Sequence, residues 1–136
     1  MIACTATELE MSDSWVEGDG SARWRSAAAL TPSAGSRESG AVLLEIEPGC
    51  RLERHRDSAE ETIVVLDGEA QVGVGEGGSR LPEGGLALIP ADVPHEVRNS
   101  GAATLRFVAV YASADVVTRY ERDVQPDGSS ERDPLG

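Results

Sequence analysis

At 136 residues, the chain fits one domain, long enough to bury a core without covalent staples. Its net charge of −12 argues against nucleic-acid partners and anionic membrane surfaces, because both reward cationic patches. No stretch approaches the roughly 20 apolar residues of a bilayer span, and two cysteines do not make a disulfide framework.

Every basic residue is an arginine, so Schiff-base chemistry on a lysine amine is excluded, whereas an anionic small substrate is not. Cys4 falls in the N-terminal segment, and Cys50 is read as a buried structural thiol. Met1 to Trp15 is acidic and lacks the basic start and apolar core of a signal peptide, so a soluble cytoplasmic protein is expected.

In chain order, residues 1–20 are polar, small and acidic, and predict a loosely docked arm. Ala22 to Leu30 predicts a first strand containing Trp24, followed by a Ser/Gly/Pro loop to Gly40. Ala41 to Glu47 predicts a strand ended by the turn pair Pro48-Gly49. Glu61 to Leu66 is rich in β-branched residues, Asp67-Gly68 is a hairpin signal, and Glu69 to Gly75 pairs back. Leu86 to Ile89 predicts a short buried strand stopped by Pro90, and His95 to Arg98 alternates. Thr104 to Ala112 is the longest clear strand, and Val116 to Arg122 fits either a last strand or a short helix. Residues 123–136 are polar and Pro/Gly/Ser-rich and predict a disordered tail. Short strands separated by turns predict an all-β sandwich or barrel over residues 21–122, with an interior that holds side chains or one ligand.

Only two histidines occur, His55 and His95, and each lies in a run of carboxylates and turn residues. On a strand, residues two apart share a face, so Glu53, His55 and Asp57 are expected on one side and Arg54 and Arg56 on the other. Glu61 opens the next strand after a short bend and can return to the same centre, and His95 arrives from another hairpin. Imidazole with carboxylate suits Fe(II), Mn(II), Zn(II), Ni(II) or Co(II), and two histidines with one carboxylate leave positions open for chemistry. Glu53 and Glu60 are read as solvated carboxylates, and Asn99 as a turn or hydrogen-bonding residue.

The two runs resemble the paired motifs of the cupins, written G-x5-H-x-H-x3/4-E-x6-G and G-x5-P-x-G-x2-H-x3-N. Gly49, His55, Glu61 and Gly68 fall on the first, and Gly84, Pro90, His95 and Asn99 on the second. Asp57 stands where the second histidine is usual, and Asp92 where glycine is, the latter read as structural because aspartate tolerates turn geometry. The resemblance spans residues 41–112 and implies a single-domain cupin barrel of the jelly-roll type.

It also implies that His55, Asp57, Glu61 and His95 bind one divalent transition metal, with Glu61 and Asp57 as catalytic carboxylates. Asp57 either keeps a ligand place with a harder donor, acts as a base, or supports a histidine from outside the coordination shell. The expected function is a metal-dependent enzyme acting on a small-molecule metabolite. Fe(II) would make it an oxygenase; Zn, Mn or Ni would make it an isomerase, lyase or dehydratase. The alternatives are a ligand-binding or sensory barrel and a structural dimer. The resemblance further implies a homodimer, possible through exchange or pairing of edge strands.

His55-x-Asp57, His95 and then Arg106 on the long strand also resemble the iron(II) and 2-oxoglutarate oxygenases. There, such an arginine holds the cosubstrate carboxylate with a bidentate pair. Phe107-Val108 follows Arg106, however, where that group carries a serine or threonine two residues on. Trp24, Phe107 and Tyr111 are the aromatics expected to line the barrel, with Phe107 and Tyr111 on the strand face opposite Arg106.

Overall fold

The computed structural model describes residues 1–136 and contains twelve strands: β1 Ser12–Val16, β2 Asp19–Leu30, β3 Gly40–Ile46, β4 Arg51–Asp57, β5 Glu61–Asp67, β6 Ala70–Val74, β7 Gly77–Leu81, β8 Leu86–Ile89, β9 His95–Arg98, β10 Leu105–Tyr111, β11 Thr118–Val124 and β12 Ser129–Arg132. Two single turns of 3-10 helix, Ala6–Glu8 and Pro32–Ala34, are the only helical segments. One sheet carries β1-β2-β3-β10-β5-β8 and the other β7-β6-β9-β4-β11-β12. They join where Ala22 of β2 pairs in parallel with Arg51 of β4; every other strand pair is antiparallel. The result is the predicted all-β barrel.

Period-two alternation fills the interior. On β10, Leu105, Phe107, Ala109 and Tyr111 are buried, while Arg106, Val108 and Val110 face outward. Trp24, Val42, Leu44, Ile46, Ile63, Val65, Val72 and Val97 complete the same core from both sheets. Full burial of a side chain the size of Phe107 stabilises the fold by about 1.5–3 kcal/mol.

Both chain ends differ from the expectation of a loose arm and a disordered tail. Residues 12–16 form β1, which pairs along β2 and buries Ser14 and Val16. The C-terminal segment pairs β12 with β11 and returns Leu135 to the core at 2 % exposure. Leu135 sits against Gly40, where a Cβ would stand 2.3 Å from its Cδ1. One apolar anchor and an Arg132–Asp127 ion pair at 2.7 Å order a segment whose composition is otherwise polar.

Asp67-Gly68 does not make the expected hairpin, because β5 pairs with β10 and β8 while β6 pairs with β7 and β9; Gly68 instead carries the chain from one sheet to the other. Its φ is +80°, and a Cβ there would stand 2.9 Å from the Thr104 carbonyl oxygen and 3.1 Å from the Leu105 Cα. Gly49 has the same φ with nothing within 4 Å. Gly68→Ala is therefore expected to destabilise by about 2 kcal/mol and Gly49→Ala by about 1 kcal/mol. Urea midpoints at unchanged m-value measure both, and equal losses would refute the steric account.

Candidate metal centre

Three strands, β4, β5 and β9, supply one buried cluster, flanked by β10 and β11. Register places His55 of β4 opposite His95 of β9, and Glu61 of β5 opposite Tyr111 of β10. β11 runs along the other edge of β4, setting Thr118 opposite Asp57 and Tyr120 opposite His55.

Simple alternation along β4 fails at one point. Pairing with β9 runs Leu52↔Val97 and then His55↔His95, so β4 carries one extra residue between them. This bulge lets Leu52 and His55, three apart, both be buried. It also breaks the expectation that Glu53 shares the His55 face. Nor is Glu53 a solvated carboxylate: it is 3 % exposed and accepts from Arg122 Nη2 at 2.9 Å and from Arg122 Nε. Arg122 also reaches Asp19 at 3.0 Å, and Arg51 reaches Asp19 at 2.9 Å, so this buried charge is paired through a small network.

The backbone orients both imidazoles. His55 Nδ1 lies 2.7 Å from the Glu53 carbonyl oxygen and His95 Nδ1 lies 2.9 Å from the Val93 carbonyl oxygen. Each Nδ1 thus carries the proton as donor, which leaves both Nε2 atoms with lone pairs aimed inward. Asp57 Oδ2 stands 3.4 Å from each Nε2, and Glu61 Oε1 stands 2.7 Å from His95 Nε2. Thr118 Oγ1 donates to Asp57 Oδ1 at 2.5 Å, turning Oδ2 toward the histidines. The four donor atoms lie within 4.8 Å of one another, and all four residues are buried.

Asp57 Oδ2, Glu61 Oε1 and His95 Nε2 nevertheless have no hydrogen-bond partner. An unsatisfied buried polar atom costs about 1–3 kcal/mol, so three lone-pair donors converging on one point fit a bound cation. The donor set of two imidazoles and two carboxylates suits a divalent first-row transition ion.

Charge runs through the cluster in both directions. Burial opposes ionisation of His55, but the Asp57 carboxylate outweighs it and holds the imidazole pKa above its ordinary value, with Glu61 adding to the effect. Burial likewise opposes ionisation of Asp57, yet His55, the Thr118 hydroxyl and His95 hold its carboxyl below the usual range. Burial and then the Glu61 and Asp57 charges push the Tyr111 phenol well up, so it stays a neutral O–H.

The cluster opens on an interior cavity of about 250 Å³ lined by Glu61, His55, His95, Trp24, Phe107, Tyr111 and Tyr120, among others. Glu10 and Ser12 from the N-terminal arm and Arg132 to Pro134 from the C-terminal segment line it too.

Arg106 does not join the site. It lies on the outward face of β10, with Nε 3.8 Å from Glu45 and Nη1 3.5 Å from Asp67. Strand alternation, which buries Phe107 and Tyr111, turns Arg106 away from the cavity and rules out the cosubstrate role. Asn99 is wholly buried and structural: its Nδ2 donates to the Ile46 and Ala103 carbonyls at 2.8 Å each, and its Oδ1 accepts from Gly101 N. Asp92 adopts φ +62°, the left-handed geometry expected at that motif position, and its N–H donates to the Asp57 carbonyl at 2.8 Å. Cys50 is half-buried against the core, and Cys4 is exposed.

The cupin domain family model matches residues 42–111, just over half of the chain and both histidine runs. The chain belongs to the cupin family. Among solved structures, this cupin is similar to the polyketide cyclase RemF from Streptomyces resistomycificus. The identity is 18% over 89% of this chain and 85% of that one, with a TM-score of 0.73. It is similar to a predicted oxalate decarboxylase from Thermotoga maritima at 19% identity, covering 82% of this cupin and 99% of that chain, with a TM-score of 0.71. The oxalate decarboxylase of Lactobacillus farciminis, in its formate complex, is 21% identical over 79% of this cupin and 32% of that chain, with a TM-score of 0.66. No curated protein matches the sequence significantly. No helix is long and apolar enough to cross a membrane.

Proposed function

We propose that this cupin is a metal-dependent enzyme acting on a small-molecule metabolite, with His55, Asp57, Glu61 and His95 holding one divalent transition ion. The observation that carries the proposal is the trio of unpartnered buried donor atoms, Asp57 Oδ2, Glu61 Oε1 and His95 Nε2, beside a cavity that opens to solvent. Similar folds include proteins named as a polyketide cyclase and as oxalate decarboxylases, so barrels of this shape do house enzymes. Such an ion, once bound, polarises a substrate carbonyl or hydroxyl oxygen, and as Fe(II) it also supports dioxygen chemistry.

The chain's own groups divide the remaining work. Asp57 is pinned by Thr118, is absent from the cavity wall, and serves as an anchoring carboxylate. Its negative charge and that of Glu61 offset a divalent ion, whereas a histidine at residue 57 would leave the loaded site one charge more positive. Glu61 does line the cavity, so its carboxylate is the one placed to accept a substrate proton at an oxygen. The tyrosine hydroxyl of Tyr111 remains a proton-bearing donor beside it.

Elemental mass spectrometry on tag-free protein, purified without chelator or added metal, tests the reading beside a His55→Ala, His95→Ala double variant. Near-stoichiometric metal that disappears in the variant supports it. Iron would then point to oxygen-consuming reactions, and zinc, manganese or nickel to isomerase, lyase or dehydratase chemistry. No metal in the wild type, and none taken up anaerobically from each ion, would sink the metalloenzyme and leave a ligand-binding barrel.

A further inference from the structure

The chain has two tryptophans, two tyrosines and one phenylalanine, and all but Trp15 line the one cavity beside the metal cluster. Trp24, Phe107 and Tyr111 belong to the core as well, and Tyr120 packs against it. Most interior positions are Val, Leu, Ile and Ala, and the core of β3 and β5 is built from those alone.

The rings also form a continuous file. Trp24 and Tyr120 have centroids 5.6 Å apart with planes at 32°, and Tyr120 and His55 are 5.4 Å apart at 48°. His55 and His95 follow at 4.2 Å. Phe107 and Tyr111 enter from β10, in the same sheet as Trp24 and across from His55, His95 and Tyr120. Beside Trp24, the β2 residues Ser26, Ala27 and Ala28 are small and leave space along the wall.

Apart from the ion proposed at the cluster, the lining holds no free cation to take a carboxylate. Arg132 is its only arginine, and each guanidinium nitrogen is engaged: Nη1 with Ser14 Oγ at 2.9 Å, Nη2 with Asp127 at 2.7 Å and the Gln125 carbonyl at 3.1 Å, and Nε with Asp127 at 3.3 Å. A cavity of about 250 Å³ has the room of roughly eight waters, enough for a compact fused-ring molecule.

We infer that the substrate is a flat, conjugated, uncharged molecule of one or two fused rings, lying against the wall that Trp24 and Tyr120 form together, with a phenol or enol oxygen directed at the histidine end. The inference rests on the metalloenzyme reading only for that oxygen's destination. Ring selectivity comes from stacking against electron-rich faces, which a puckered saturated skeleton of equal size cannot match.

Calorimetric titration with naphthol and with its fully saturated counterpart, decahydronaphthol, separates shape from bulk, since both carry one hydroxyl on the same carbon skeleton. The wild type, as purified, is expected to bind naphthol at least about fivefold more tightly. Tyr120→Leu, and independently Trp24→Leu, should each remove most of that preference while leaving decahydronaphthol affinity within about twofold. Two variants guard against one that fails to fold. Equal affinity for the two probes, no binding of either, or a preference untouched in a folded Tyr120→Leu protein would overturn the inference. Preference retained after chelation, with no loss of naphthol affinity, would uphold the ring slot while counting against the metal-directed oxygen.

Discussion

Thr118→Val is expected to weaken metal affinity about 10- to 100-fold while leaving the barrel folded. The hydroxyl donates to Asp57 Oδ1 at 2.5 Å, and both partners are about 2 % exposed. Valine keeps the shape and removes the donor, so Asp57 gains freedom to turn Oδ2 away from His55 and His95, each 3.4 Å off. Oδ1 would also lose its hydrogen-bond donor, which adds a stability cost of about 1–3 kcal/mol. Competition titration against a chromophoric chelator measures the affinity, and circular dichroism the fold. Thr118→Ser, which restores the donor, should recover most of the affinity. Wild-type affinity in the valine variant would show that Asp57 is not positioned by Thr118, or is not a ligand.

Thr118 also marks where sequence reasoning stopped. The motif runs were legible because their spacing places His55, Asp57, Glu61 and His95 around turns at Gly49, Gly68 and Gly84. The long strand was legible because Thr104 to Ala112 is rich in apolar, β-branched and aromatic residues, and the two-residue period set Arg106 opposite Phe107 and Tyr111; which face is inward came only with the structure. Residues 116–122 fit a strand or a short helix, which hid that Thr118 and Tyr120 share a face and lie opposite Asp57 and His55. Partner choice across a sheet depends on contacts far apart in the chain, which local pattern does not encode. The β4 bulge was invisible for a similar reason, since an extra residue is defined only against β9. Leu135 was lost in a polar tail because a single anchor shifts composition very little.

Acidity and metal should each stabilise this fold, in competition for the same nitrogen. In the metal-free protein, the His55 pKa is raised above its ordinary value near 6.5 because the Asp57 carboxylate outweighs the effect of burial. A group with a raised folded pKa binds its proton more tightly when folded. Its stabilisation is therefore full below about pH 6.5 and is lost as pH climbs through the folded value. Asp57 has the opposite sign, but its lowered pKa confines its effect to pH values near and below the ordinary carboxylate range. Between pH 6 and 8 the histidine decides, so the melting temperature of chelated protein is expected to fall as pH rises. A metal ion must displace the same proton, so its affinity rises with pH over the same window. At pH 8, free metal at about 100 times Kd would add about 2.7 kcal/mol, and at pH 6 the same concentration would add distinctly less. Differential scanning calorimetry at both pH values, with and without metal, measures all four states. Convergence of the two melting temperatures toward pH 6 is the expected signature of an ion held on imidazole nitrogens. A metal-induced gain independent of pH would place the ion on carboxylates elsewhere, and His55→Ala would then leave that gain intact.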